Sequence, residues 1–226
     1  MMTINRRHLV FAGLAPPLAG CMADDSPDRP SLFGDAIAAS EADERNYAAM
    51  PNEKFPVPAV NLRKLARKYR RQRVEYAAKE APGTVIVDTR TRFLHLVEAD
   101  GTAIRYGVGV GREGFAWQGR ARIAWKREWP TWTPPSEMID RQPELEPYRE
   151  GMEPGLQNPL GARALYLFEG NKDTLYRLHG TFDASSIGKS VSSGCIRLVN
   201  QDVIDLYNRV KPGAMVAVYQ DGNELT

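Results

Sequence analysis

The chain has 226 residues, 42% of them hydrophobic and 26% charged, which is the composition of a soluble globular protein and not of a disordered one. That length holds one domain of ordinary size with appendages. A net charge of +2, with no basic stripe interleaved with aromatics, excludes nucleic acid as an expected partner, and two cysteines do not make a disulfide framework.

In chain order, an export signal comes first. Arg6 and Arg7 form a positive n-region, and Leu9 to Ala19 form an apolar stretch too short to span a bilayer as a helix. Asn5-Arg6-Arg7-His8-Leu9-Val10 looks like a twin-arginine signal. Leu18-Ala19-Gly20-Cys21 resembles a lipobox, in which the cysteine becomes lipidated and N-terminal; the alternative is an ordinary secretory signal with a chance cysteine. Either way the folded part is expected in the periplasm or cell envelope, with membrane contact only through a lipid on Cys21. An exported thiol usually pairs. With Cys21 acylated or on a tail, Cys195 has no partner and reads as a reactive thiol.

Residues 22 to about 60 read as a tether, polar and proline-broken, with a short helix expected over Ile37 to Met50. Arg63-Lys64, Arg67-Lys68, Arg70-Arg71 and Arg73 form a basic run. It reads either as a solvated face or as a surface for anionic polymer or lipid. The expected boundaries are 1–21 for the signal, 22–80 for tether and basic segment, and 81–220 for the folded domain.

From Pro82 the pattern turns to strands. Thr84 to Asp88 is a short apolar run, Phe93 to Val97 alternates, and Asp100-Gly101 signals a hairpin into Thr102 to Val110. His95 reads as a sheet residue. Further strands fit Ala121–Lys126, Ala164–Phe168, Leu175–Leu178 and Ala214–Tyr219. One helix follows the second cysteine, with Asn200 as its cap, Val203, Ile204, Tyr207 and Val210 at helical spacing, and Lys211-Pro212-Gly213 as its stop. The expectation is a mainly β, antiparallel, sandwich-like domain with a few short helices. Seven of the 16 prolines lie between 127 and 160, and all four tryptophans lie between 117 and 132. A long stiffened connection of this kind is usually functional. It reads as a lid in which Trp129 and Trp132 meet substrate, or as an arm whose tryptophans pack on the sheet.

The chemistry gathers late in the chain. A thiol becomes a good nucleophile as the thiolate, so it needs a base or cation nearby. His179-Gly180, followed by Ser192-Ser193-Gly194-Cys195-Ile196-Arg197, supplies a histidine, a Gly-Cys turn whose N–H groups could hold an oxyanion, and a flanking arginine.

His179-Gly180-Thr181, Ser192-Ser193-Gly194-Cys195-Ile196-Arg197-Leu198 and Asn200 resemble the signature of the L,D-transpeptidase (YkuD-type) catalytic domain. Gly109-x-Gly111, the Trp129 to Pro135 stretch and Asn158 to Ala162 are similar to it as well, and the likeness spans about 82 to 219. The resemblance implies Cys195 as nucleophile, His179 as general base oriented by the Gly180 carbonyl, and Gly194 and Cys195 as oxyanion donors. Ser192 and Ser193 would set site geometry. Many members carry histidine where this chain has Ser193, which leaves His179 as the one nearby base. Arg197 would bind a stem carboxylate through its planar fork, or else form a structural pair. The implied partner is a peptidoglycan stem peptide, with another stem's amine, an outer-membrane protein amine or water as acceptor. No cofactor and no metal is implied. A non-catalytic wall-binding lipoprotein is the reading from a different class.

Overall fold

The computed structural model describes residues 41–111, 117–192 and 194–220. The export signal, Cys21 and Ser193 lie outside the described residues. The chain is mostly β, as expected. Its strands are β1 (Gln72–Glu75), β2 (Val85–Asp88), β3 (Phe93–Val97), β4 (Thr102–Gly107), β5 (Val110–Gly111), β6 (Gly119–Glu128), β7 (Arg163–Glu169), β8 (Lys172–Thr181), β9 (Ser190–Ser192), β10 (Ile196–Val199) and β11 (Met215–Tyr219). The helices are α1, described over 41–46, α2 (Ser136–Arg141) and α3 (Asn200–Arg209).

Nine strands form one sheet in the order β1-β4-β3-β2-β11-β6-β7-β8-β10, and β5 pairs with β9. An antiparallel architecture was the expectation; the sheet is mixed, because β2 pairs with β11 and β8 with β10 in parallel. Parallel neighbours need long crossovers, which local periodicity does not reveal. Gly109, just past β4, exchanges both backbone hydrogen bonds with Arg197 of β10 (2.9 and 2.8 Å), so the segment after β4 reaches the edge strand at the opposite side of the sheet. A Cβ on Gly109 would stand 2.7 Å from the Ser186 carbonyl oxygen, so only glycine permits that approach.

Inside the curl, Val85, Leu94 and Tyr106 from one half of the sheet share a core with Ile123, Leu165, Leu178 and Leu198 from the other. Val203, Leu206 and Val210 of α3 join the same core, which is what their helical spacing requires. Tyr106 on β4 donates to Asp205 of α3 at 2.7 Å, tying the helix to the far half. Lys126 donates to the Tyr207 and Val210 carbonyls at 2.6 and 2.8 Å, placing a cation at the helix C-terminus, where the dipole favours it. Asn200 does not cap the helix by a side-chain bond. It is the first helical residue, and its Oδ1 accepts from the Ala162 amide at 2.8 Å.

From residue 41 on, the segment expected as a tether is packed. Tyr47, Val57 and Leu65 are buried, with Tyr47 and Leu65 against Ala184, Ile187 and Val199, and Val57 against Trp129, Ala162 and Ile204. Burying a Val or Leu side chain contributes about 1.5 to 3 kcal/mol, so a loose tether would forgo several such terms. The basic run is split. Arg70 pairs with Asp43 at 2.7 Å, Arg71 with Asp205 at 2.9 Å and Arg73 with Asp100 at 2.6 Å. Arg70 and Arg71 are thus partly buried ties and Arg73 makes an exposed pair, while Arg63, Lys64, Arg67 and Lys68 are exposed.

Candidate active site

β8 and β10 run side by side in register, with Leu178 opposite Ile196 and His179 opposite Arg197. Successive side chains on a strand point to opposite faces. Leu178, Ile196 and Leu198 therefore turn into the core. On the other face, His179 and Arg197 line a cavity together with Arg177 and Cys195, each two residues earlier on its own segment. Continuing the ladder by one residue sets Cys195 opposite Arg177. Cys195 and His179 are then diagonal neighbours, about 8 Å apart at Cα for strands ~4.8 Å apart with a ~3.3 Å rise.

The cavity measures about 710 Å³, the size of a small-molecule site. The proline-rich arm contributes Thr131, Trp132, Thr133 and Pro135 to its lining, followed by Met138 of α2, Gln142 and Leu145. Pro159, Leu160, Tyr166, Leu175 and Tyr176 line it as well. The arm leaves and returns through a neck. Trp132 and Met152 exchange backbone bonds at 3.0 and 2.7 Å, and the Asn158 amide donates to the Pro130 and Met152 carbonyls at 3.0 and 3.1 Å.

Trp132 lies in the cavity wall, but Trp129 does not. It is buried, at φ 44°, its ring edge-on to Phe55 at 4.9 Å and its indole N–H donating to Glu53 at 2.9 Å. Glu53 also accepts from both terminal nitrogens of Arg163, at 2.7 and 2.9 Å. The root of the arm is therefore fixed by a residue of the expected tether. A buried indole needs a partner for its N–H, and here the partner lies 76 residues away in sequence.

His179 is 4% exposed, and its Nδ1 lies 2.9 Å from the Gly180 carbonyl oxygen. A carbonyl can only accept, so Nδ1 carries the proton and the neutral ring keeps its lone pair on Nε2. Burial pushes the imidazole pKa down to about 4, against the pull of the Gly180 and Pro159 carbonyls; Arg197 and Arg177 depress it further. Gly180 is needed for space. A Cβ there would run into Asn200 Oδ1, the atom that holds Ala162.

Cys195 is partly buried. Burial pushes its thiol up, while the Arg177 backbone N–H and the Arg177 and Arg197 guanidinium groups pull it down. Burial therefore works against charge on both the thiol and the imidazole. Gly194, at φ 138°, also lines the cavity, and a Cβ on Gly111 would stand 2.8 Å from its Cα. Backbone is thereby packed on backbone beside the sulfur.

Arg197 is half-buried, and among the described residues its guanidinium makes no hydrogen bond or ion pair, which leaves its fork open to the cavity. Ser192 enters through its backbone, in register with Gly111. His95 lies elsewhere, stacked on Tyr76 at 4.4 Å. Arg177 is a cavity residue not singled out from sequence, although its place two residues before His179 on a strand was the available signal. Tyr166 and Leu175 carried no such signal.

The chain matches the L,D-transpeptidase catalytic domain model (YkuD) over residues 82–218. It is 34% identical over 141 residues to a Fuscovulum blasticum protein provisionally named an L,D-transpeptidase (ATP synthase subunits region, ORF 5), covering 59% of this chain and 68% of that protein. It is 32% identical over 139 residues to Probable L,D-transpeptidase YbiS of Escherichia coli K12, covering 59% of this chain and 43% of that protein. The match thus spans less than half the length of this second relative. A solved Brucella melitensis structure, described as a probable carnitine operon oxidoreductase, is 46% identical and covers 74% of this chain and 98% of its own, at a TM-score of 0.49. With the domain model matched over more than half its length, this chain belongs to the L,D-transpeptidase catalytic-domain family.

Proposed function

We propose that this chain is a peptidoglycan L,D-transpeptidase that works through a cysteinyl acyl-enzyme. The observation that carries the reading is the shared face of β8 and β10, on which Cys195, His179 and Arg197 line one cavity. As Cys195 Sγ attacks the carbonyl at the L-centre of diaminopimelate, His179 Nε2 takes the thiol proton. Backbone N–H groups around Gly194 and Cys195 hold the oxyanion, and the imidazolium returns the proton to the departing D-alanine amine. A second stem's amine, or an amine of an outer-membrane protein, then attacks the thioester and restores the thiol. Arg197 pairs with a stem carboxylate, and Trp132 covers the bound stem from the arm. Export and a lipid on Cys21 would put the enzyme at the wall; the mass of the mature N-terminus tests both.

The deciding experiment is incubation with disaccharide-tetrapeptide followed by mass spectrometry. Release of D-alanine with dimer formation is the expected result. Tripeptide alone would move the reading to an L,D-carboxypeptidase. Cys195→Ala should abolish both products, and unchanged turnover in that variant would sink the mechanism. Because the imidazole is held down at about 4, kcat/KM should fall on acidification only well below the 6.5 of a free histidine. A midpoint above 6.5 would contradict an imidazole held down by burial.

A further inference from the structure

We propose that Asp173 is a positioning residue for the Cys195 nucleophile, because it wires a strained bulge of β8 that meets the sulfur with one acceptor and one donor. The proposal rests on Cys195 being the nucleophile. Between the pairs Phe168↔Asp173 and Tyr166↔Arg177, β8 advances four residues while β7 advances two. The surplus sits at Thr174 to Tyr176. Leu175, in its middle, has φ +63° and is 68% exposed. A large side chain rarely adopts that left-handed backbone, and such outliers collect where function requires them.

Asp173 holds the bulge. Its Oδ1 accepts from the Leu175 amide at 2.8 Å, closing an Asx turn, and its two oxygens accept from Arg177 Nη1 and Nη2 at 2.7 and 2.8 Å. Thr174 adds a second tie, donating to the Leu167 carbonyl at 2.7 Å and accepting from the Tyr176 amide at 3.2 Å. The Arg177 guanidinium is kept over the Tyr166 ring, 4.3 Å from its centroid.

The bulge then delivers two backbone groups to the thiol. The Leu175 carbonyl oxygen lies 3.9 Å from Cys195 Sγ and accepts the S–H. The Arg177 N–H donates to the sulfur and favours the thiolate. One loop therefore engages the nucleophile before and after it loses its proton. The charged and titratable groups around the sulfur and its cavity are Asp173, Tyr176, Arg177 and His179 from β8, Tyr166 from β7 and Arg197 from β10. The arm residues that line the cavity carry no titratable side chain.

Two substitutions separate the turn from the charge. Asp173→Asn and Asp173→Ala both remove the negative charge beside the sulfur, but only alanine removes the turn acceptor. The readout is the rate of iodoacetamide alkylation of the full-length chain between about pH 6 and pH 10, with the Cys195 adduct separated from Cys21 by peptide mapping. Asp173→Asn should keep a rate near wild type and move the pH profile to lower pH. Asp173→Ala should react roughly tenfold more slowly than Asp173→Asn, since displacement of a reacting atom by about 1 Å can cost up to 100-fold. Should Asp173→Ala fail to fold, Leu175→Val decides: a β-branched residue opposes the left-handed turn and should slow alkylation. Equal rates for the alanine and asparagine variants, or a wild-type rate for Leu175→Val, would overturn the proposal. Alkylation needs no stem peptide, so the result stands apart from whether the chain turns over tetrapeptide.

Discussion

The two halves of the sheet differ in regularity. In β2, β3, β4 and β11 the registers run without a shift, as Val85 to Asp88 pair residue by residue with Leu96 to Phe93 and with Val216 to Tyr219. Across β6, β7 and β8 the registers shift twice, and β5 with β9 shifts again. Leu175 and Trp129, two of the three non-glycine residues at positive φ among the described residues, lie in the irregular half. The cavity lies there too. A regular ladder is the cheapest way to bury a sheet face, but it leaves few backbone groups to spare for a ligand. The irregular half departs from it where backbone must be aimed at a sulfur, and it is held by side chains reaching in from elsewhere.

That contrast can be broken most sharply at Glu53. Glu53→Ala leaves Arg163, 6% exposed at its side chain, without its main partner, and should cost about 3 to 5 kcal/mol in urea denaturation. It should also raise KM for the stem by freeing the root of the arm. Unchanged stability would make the segment before residue 80 an accessory after all. Leu94→Ala, in the regular half and fully buried, should cost about 3 kcal/mol while leaving kcat/KM per folded molecule intact. A loss of activity beyond the unfolded fraction would erase the distinction between the halves.

A smaller effect is expected at Asp202, where the packed segment meets α3. Burial pushes this carboxyl up to about 7 from 3.8, against Arg71 and the hydroxyl of Tyr47, which donates to it at 3.1 Å. The folded state therefore holds the proton better than the unfolded one. Stability from this group declines as pH rises from about 4 to about 7 and is level above that. Asp202→Asn has no proton to lose, so its stability relative to the parent should rise across that window; a constant difference would refute the assignment. The smallest effect is expected at Arg73, whose side chain is 58% exposed. Arg73→Ala should shift stability by no more than about 1 kcal/mol, and a larger loss would mean that the basic run ties the sheet edge more firmly than exposed pairs do.

The strands with alternating or continuous apolar runs were legible from sequence because burial of one face imposes a period of two, as at Phe93 to Val97. β1 and β10 were not. Gln72 to Glu75 is polar, and its pairing with β4 alone gives it strand form. Ile196 to Val199 is short and sat within the motif. Of the arm's two tryptophans, Trp132 and Trp129 read alike in sequence. Only the distant Glu53 separates them, by drawing the Trp129 indole N–H away from the cavity.

By itself, the sequence determined the β class, the arm, and a histidine and cysteine set in a family signature, because periodicity, proline content and residue chemistry are local properties. The tertiary structure decided which groups face one another. It put Arg177 beside Cys195 through strand register, tied the expected tether into the core through Tyr47, Glu53 and Leu65, and lowered the His179 imidazole by burying it. Register, burial and partnership depend on residues far apart in the chain, so they exist only once the sheet has closed.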